Sequence, residues 1–590
     1  MSDSPLERLA ECGDLAASDE MRRFLVSSEE LERMIAIADE LDEGRFMQRL
    51  WGKDAALWSD EEGVRRSVDN RLGWLGIVEE MRGECDSVAS FGAAVQGSDV
   101  EHVVLLGMGG SSLCPEVCAT VFGVDNFLVL DSTVPAAVRA ITEEIDPART
   151  LFVVSSKSGT TIETRAFADY FYSLVAPVLA SPGERFVAIT DPGSHLAQVA
   201  DERGFLKLWL NPADIGGRYS ALSYFGLVPM AMMGLDVSAI IGSAFRMVQS
   251  CAAVVPAAEN PGAALGIAMY EAFRSGRDKL TFAMSPRLAP FGDWVEQLIA
   301  ESTGKAGVGL VPVHGEPRGR VENYGDDRFF VSMRLADEED AGTQALLADL
   351  AAAGHPVACL VLQDPADLGA EFFRWELATA VVGSLMGINP FDEPNVKDAK
   401  DRTGELLSAY ESTGALPEPE PVYTGDGLSI FADLAADTEL ARGAGENVDL
   451  VGWMRLHLQR AKVPDYVGIQ AFVAPDDGVK AELSGMRRTL RDRLGVATTF
   501  GWGPRFLHST GQLHKGGPDR GVFLQVTADD VHDLDCPGHS YSFGVLARAQ
   551  ALGDMQALQG SGQRVLRVHV SGDLRAAVEK LVAAVDEALR

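Results

Sequence analysis

The stretch from Val103 to Val117 reads VVLLGMGGSSLCPEV: an apolar run that stops at Gly107, a turn of glycines and serines, then a segment with Pro115 in its opening turn. Strand, glycine-rich turn and helix follow one another in that order. The same rhythm extends outward, with VVLLG at 103, FLVLD at 127, TLFVVS at 150 and RFVAIT at 185 separated by helix-length segments. Short apolar runs alternating with helices predict a parallel sheet covered on both faces. After a helical stretch at about 220–275, KLTFAMS at 279, VGLVPV at 308, RFFVSM at 328 and HPVACLVL at 355 repeat the pattern, which predicts a second α/β lobe. Residues 1–90 carry charged and apolar residues at helical spacing, as in LERMIAIADELDEGRFMQRLW. The acidic, proline-rich ALPEPEPVYTGDG at 415–427 has neither period and predicts a linker. The expected organisation is a helical segment 1–90, a first lobe with its following helices 91–275, a second lobe 276–414, a linker 415–440 and a C-terminal α/β lobe 441–590.

The 590 residues are 46% hydrophobic and 23% charged, a globular composition that excludes disordered and disulfide-scaffold classes. The net charge of −35 disfavours non-specific binding to nucleic acid or anionic membrane, so an anionic ligand has to be held locally. The apolar stretch 222–235 is 14 residues long and contains Pro229, too short to span a bilayer. MSDSPLERLAECGD lacks the pattern of a signal peptide, and a cytoplasmic location is expected. Seven cysteines without a C-x-x-C pair suggest neither a disulfide framework nor a zinc site.

Two loops carry chemistry. In Gly107-Met108-Gly109-Gly110-Ser111-Ser112 the glycines let backbone N–H groups approach an anion. Asp131, at the end of the next strand, suits a dinucleotide site, but Ser112 stands where G-x-G-x-x-G needs glycine. Taken alone, this loop divides between a nucleotide site, a phosphate site and a tight turn. The second loop, Ser155-Ser156-Lys157-Ser158-Gly159-Thr160-Thr161, sets five hydroxyls and a lysine at a strand-to-helix turn. Those groups suit a phosphate monoester, the alternative being a helix cap with extra serines. Loops at the carboxyl ends of neighbouring parallel strands are where such sheets bind ligands, and the pair favours phosphate.

LLGMGGSSL, FVVSSKSGTTIET, IGGRYSALSYFGL, WVEQLIAESTGK and NPFDEPNVKDAK, in that order, resemble the successive motifs of the glucose-6-phosphate isomerase family. The resemblance runs from about residue 45 to 410. It implies two tandem flavodoxin-like lobes of the sugar isomerase (SIS) fold and reversible conversion of an aldose to a ketose phosphate through a cis-enediolate. It also implies the roles: Glu301 as the general base, Gln297 one helical turn earlier, Arg218 as stabiliser of the enediolate, Lys400 in ring opening, and Gly109, Gly110, Ser111, Ser156, Lys157, Ser158 and Thr161 around the phosphate. RLWGKDAALW, NRLGWL and FGWGPRFLHSTGQLHKGG are similar to the isomerase half of bacterial transaldolase/isomerase fusions. No transaldolase half is expected, because no barrel-sized region precedes the isomerase motifs. The family's ring-opening histidine has no match near Glu301 or Lys400. His508 and His514, with Gln512 between them, are the candidates in a glycine-rich segment. Glu393 departs from the family's glutamine at that position and is left out of the binding set.

The reading is thus an enzyme of glycolysis and gluconeogenesis acting on a small sugar phosphate, with no cofactor and no metal. A dual phosphoglucose/phosphomannose isomerase is the first alternative, against which Gln297 stands. A non-catalytic sugar-phosphate-binding SIS protein would not need Glu301, Arg218 and Lys400 together. A nucleotide-dependent dehydrogenase would rest on one incomplete loop. The family commonly dimerises, so a homodimer is one expectation, and completion of the site by the C-terminal lobe within one chain is the other.

Overall fold

A computed structural model describes residues 5–14, 17–435, 437–445 and 448–590. The chain forms two compact units. The first comprises residues 1–131, 144–303 and 328–392; the second comprises 132–143, 304–327 and 393–590.

In the first unit, the strands Phe127–Leu130, His102–Leu106, Thr150–Ser155, Phe186–Thr190 and Lys207–Leu210 lie side by side in that order, all parallel. In chain order this is 2-1-3-4-5, the flavodoxin-like arrangement, and it confirms the expected α/β fold. Every residue of Thr150–Ser155 is buried, as a central strand covered on both faces requires. Phe152 stacks on Phe171 and Phe186 at centroid distances of 4.9 and 5.0 Å, fixing one covering helix to the sheet. The sheet's direction of winding reverses between His102–Leu106 and Thr150–Ser155. Both hydroxyl- and glycine-rich loops leave the sheet there.

A second parallel set, Val357–Leu362, Arg328–Leu335 and Lys279–Met284, follows in the same unit. The N-terminal segment is helical apart from Phe24–Leu25, which pairs antiparallel with Val357–Ala358. Two residues are too few to leave a period-2 signature in the sequence. The helix Phe291–Thr303 leaves this sheet and buries Trp294, Val295, Leu298 and Ile299, which turns Gln297 and Glu301 to one other face.

In the second unit, the order is Tyr423–Gly425, Leu428–Phe431, Arg564–Val570, Gly521–Ala528, Tyr466–Phe472, Ala497–Trp502. The last four are parallel, and the first two form an antiparallel hairpin on the edge. The hairpin falls in the stretch expected to be a linker. Asp426 (φ 56°) and Gly427 (φ 79°) make its two-residue turn, which needs left-handed backbone at both positions. All seven cysteines are buried and unpaired by disulfides. Among the described residues, no helix is long and apolar enough to cross a membrane.

Burial in the second unit also creates a pH dependence. His457 is fully buried, its Nε2 lies 2.9 Å from the Phe523 carbonyl, and its Nδ1 faces Arg460 Nη2 at 2.8 Å. Nε2–H therefore donates to Phe523 and Nδ1 accepts from Arg460, an arrangement that only the neutral ring can make. Burial, reinforced by Arg460, pushes the imidazole down to about 3. The unfolded chain takes up this proton near pH 6.5 and the folded chain does not, so stability is full above that pH and falls as pH drops towards 3. Between about pH 6.5 and about pH 5 this one group removes on the order of 2 kcal/mol. Urea midpoints measured at about pH 7 and about pH 5 are expected to fall in the parent and to fall less in His457→Gln. Equal falls in both would assign the acid sensitivity elsewhere.

Candidate active site

The site of the first unit is built on two loops without side-chain caps. Several other helices carry one: Ser194, Asp236 and Asn260 each accept a hydrogen bond from the first turn of the helix they precede. Ser112, before Leu113–Phe122, and Thr161, before Ile162–Val175, make no such bond. The hydroxyls of the second loop are therefore not a helix cap. The first-turn N–H groups of both helices are left for a partner other than their own side chains, which is how helix N-termini bind anions.

The loops also hold each other. Ser155 Oγ donates to the Ser111 carbonyl at 3.0 Å, and Ser156 Oγ bonds Thr161 Oγ1 at 3.3 Å and accepts from Gly159 N–H at 3.2 Å. Gly159 has φ 68°, and a Cβ there would meet Leu196 backbone at 2.4 Å. Ser158 and Thr160 are exposed and share a 2.9 Å hydrogen bond. Lys157 does not point its ammonium freely at the loop: Nζ donates to Asp191 at 2.5 Å and to the Ala213 carbonyl at 2.8 Å. Burial raises the Asp191 carboxyl, with Lys157 acting in the opposite sense. Asp191 follows the strand Phe186–Thr190, a strand-end position that could have flagged it in the sequence. Asp131, the residue that kept a dinucleotide reading open, lies 3.5 Å from the Ser112 hydroxyl and is buried under the first loop.

Gly110 joins the first loop to the catalytic candidates. A Cβ on it would stand 2.1 Å from the Gly217 carbonyl, so only glycine lets these two turns touch. The next residue, Arg218, is 2% exposed. Its Nε donates to Ser302 Oγ at 2.8 Å and its Nη2 to the carbonyls of Pro390 and Asp392 at 2.8 and 2.9 Å. Nη1 lies 3.4 Å from Glu301 Oε1, and Gln297 Nε2 donates to Glu301 Oε2 at 3.1 Å. The guanidinium is held on three sides and presents its remaining edge to the carboxylate. Glu301 stands in the last turn of its helix, where the dipole disfavours a negative charge, and Arg218 supplies the opposing cation. Ser302 was not singled out in the sequence; its only local signal is that it follows the base candidate directly.

The remaining candidates belong to the second unit. Lys400 is exposed on the helix Val396–Thr413, and Glu393 is exposed before it. His508 is half-buried at the end of the turn Arg505–His508. Gln512 is fully buried, and its side chain is engaged at both ends: Nε2 donates to the Gly304 carbonyl and to Asn395 Oδ1, both at 2.8 Å, while Oε1 accepts from Asn395 N–H at 2.8 Å. With both amide hydrogens used, Gln512 is a clasp between segments and not the free ligand donor expected of it. His514 is buried among the rings of Phe523, Phe506 and Tyr466, with Nδ1 3.4 Å from Gln470 Nε2. Burial, then Lys515, push its imidazole well down, so the ring is neutral. Lys515 pairs with Asp554 at 2.5 Å.

The sequence profile of the family described as phosphoglucose isomerase matches residues 65–311. A protein of Natronomonas pharaonis named "Probable glucose-6-phosphate isomerase" is 30% identical over 354 residues, 53% of this chain and 81% of that protein. The glucose-6-phosphate isomerase of Thermus thermophilus is 28% identical over 399 residues, 59% of this chain and 94% of that protein. The crystal structure of a hypothetical protein from Thermus thermophilus superposes with a TM-score of 0.55 at 25% identity, over 66% of this chain and 99% of that one.

The Gly110–Gly217 approach can be tested alone. Gly110→Ala is expected to displace the Arg218 turn and to lower turnover of a sugar phosphate by about a hundredfold, with circular dichroism unchanged. Parent-like turnover would show that the two turns need not touch.

Proposed function

Because this chain belongs to the phosphoglucose isomerase family, we propose that it interconverts D-glucose 6-phosphate and D-fructose 6-phosphate, with Glu301 as the base and Arg218 as the electrostatic partner of the intermediate. The observation that carries the reading is the Glu301 carboxylate held between Gln297 and the buried Arg218, one residue from the turn that touches the glycine-rich loop.

The chemistry follows from what an aldose and a ketose share. Removing the C2 proton of the open-chain aldose gives a cis-enediolate whose negative charge lies on the oxygens at C1 and C2. Returning the proton at C1, with the hydroxyl proton passing from O2 to O1, gives the ketose. One carboxylate reaching both carbons suffices for the carbon-bound proton, and no net electrons leave the sugar. Stabilising the oxyanion requires a cation fixed before charge develops, which the bonds from Arg218 to Ser302, Pro390 and Asp392 provide. The phosphate, remote from the reacting carbons, is assigned to the uncapped N-termini after Ser112 and Thr161, with the Ser111, Ser156, Ser158 and Thr161 hydroxyls beside them and Lys157 contributing charge from its pair with Asp191. Gripping it there fixes the sugar against Glu301.

Ring opening needs a separate acid and base, because the substrate arrives as a cyclic hemiacetal. We assign it to the second unit's Lys400, His508 and His514.

Glu301→Gln is expected to lower kcat for fructose 6-phosphate by at least about a hundredfold while sugar phosphate still binds, and Arg218→Lys to lower it by a similar factor. Turnover within about twofold of the parent in Glu301→Gln would overturn the base assignment. For the histidines, His508→Asn and His514→Asn are expected to slow the cyclic substrate selectively. Full activity in both removes them from the mechanism.

A further inference from the structure

We propose that the C-terminal sheet carries a binding site of its own, for a small organic amine with an apolar body, in the cleft between residues 472–476 and 528–531. The proposal does not depend on the isomerase reading, because none of these residues belongs to the candidate active site.

The strand order puts a ligand site at this place. Numbered along the chain, the four parallel strands of the second unit, Tyr466–Phe472, Ala497–Trp502, Gly521–Ala528 and Arg564–Val570, lie in the spatial order 2-1-3-4. The winding reverses between the first and the third, and open α/β sheets bind ligands beyond the carboxyl ends of their strands at such a reversal. A cavity of about 470 Å³ opens there, lined by residues 472–474 after the first strand and 528–531 after the third. Small-molecule sites occupy roughly 300–1,000 Å³, so the cavity has the size of one. Residues 572–575, after the fourth strand, and Val134, Ala136 and Arg139 close its other sides, and all of them belong to the second unit.

The walls select the chemistry. The helices that follow the two loops of the first unit start uncapped, whereas both helices that start at this cleft are capped by carboxylates. Asp476 accepts from Val479 N–H at 2.9 Å and Asp573 from Ala576 N–H at 2.8 Å. These groups take up first-turn N–H donors and set negative charge at both N-termini, so the cleft does not suit a phosphate. Most of the other charges are matched: Asp529 Oδ1 lies 3.1 Å from His569 Nε2, Arg139 donates to the His532 carbonyl at 2.8 Å, and Arg575 faces Glu579 at 3.5 Å. Asp530 is half-buried, and among the described residues its carboxyl makes no hydrogen bond or ion pair. A carboxylate partly removed from water and left unpaired favours a cation. Among the described residues no three acidic, histidine or cysteine side chains gather to hold a metal ion, which points to an organic cation. Phe472, Val473, Val479 and Leu574 give the cleft an apolar wall, and Val531 is 78% exposed on it. An ammonium on an apolar body satisfies the carboxylate and covers the wall.

The same carboxylate makes the site pH-dependent. Burial, then Asp533 and Asp529, push Asp530 up to about 6, with Arg548 and Arg139 acting in the opposite sense. Burial also holds the imidazole of His569, across Asp529, below its ordinary value. An amine stays charged throughout, so its affinity is full above about pH 6 and falls as Asp530 takes up a proton below it.

Isothermal titration calorimetry of the whole chain tests the site, with phenethylamine as the probe and phenylacetate as an anion of similar body. At about pH 7.5 the amine is expected to bind saturably and at least about tenfold tighter than phenylacetate. Asp530→Asn, and Ala136→Trp, which fills the cleft, are each expected to weaken the amine about tenfold or more, and a change to about pH 5 to weaken it about tenfold in the parent. Absence of saturable binding, phenylacetate bound as tightly, undiminished affinity in either variant, or equal affinity at both pH values overturns the proposal. Glu301→Gln is expected to bind the amine as the parent does. Loss of binding in that variant would place the amine at the isomerase carboxylate and overturn the proposal too, while the turnover of Glu301→Gln decides the isomerase reading separately.

Discussion

A guanidinium taken almost completely out of water has to be surrounded by oxygen, and Arg218 sets that demand for the first unit. It is met from two separate stretches of the chain: Glu301 and Ser302 at the end of one helix, and the carbonyls of Pro390 and Asp392 beyond the end of another. Satisfying the cation therefore fixes the last turn of Phe291–Thr303 relative to the Gly217 turn. Gly110 then fixes the Gly217 turn relative to the glycine-rich loop. The base, the cation and the phosphate loops stand in one frame because of these two contacts. The same contacts that bury the charge also aim it, so stability and chemistry make the same request of these residues.

How much of this was legible in the sequence follows from the range of each interaction. The loops are local: an apolar run, a turn of glycines and hydroxyls and a helix appear in consecutive residues, and the 2-1-3-4-5 sheet follows from their order. Gln297 and Glu301 are four residues apart and share a helix face for that reason. Asp426-Gly427 was a readable hairpin turn, hidden by the prolines and acidic residues just before it. What escaped were pairings across long separations. Nothing around Lys157 announces Asp191, and nothing around Ser302 announces a guanidinium 84 residues away in sequence. Gln512 read as a ligand donor because its neighbours are polar, whereas its partners at Gly304 and Asn395 are invisible in the sequence.

The acidic balance of the chain fits the same picture. A net charge of −35 repels anions in general, so a sugar phosphate has to be recognised by groups at short range. In the proposed function, uncapped helix N-termini and hydroxyls are the groups assigned to that recognition, and they add no net positive charge. Arg218 and Glu301, 3.4 Å apart, offset each other's charge.

The central claim is that a carboxylate carries the hydrogen between C2 and C1 as a proton, with Arg218 holding the charge left behind. The isomerisation run in deuterium oxide tests it most directly, with label at C1 of fructose 6-phosphate and C2 of glucose 6-phosphate read by nuclear magnetic resonance. The account predicts deuterium at both carbons in the parent, because a proton on Glu301 has time to exchange with solvent, and its loss in Glu301→Gln. Isomerised sugar free of deuterium in the parent would mean direct hydride transfer, and undiminished labelling in Glu301→Gln would mean another base; either result contradicts the account.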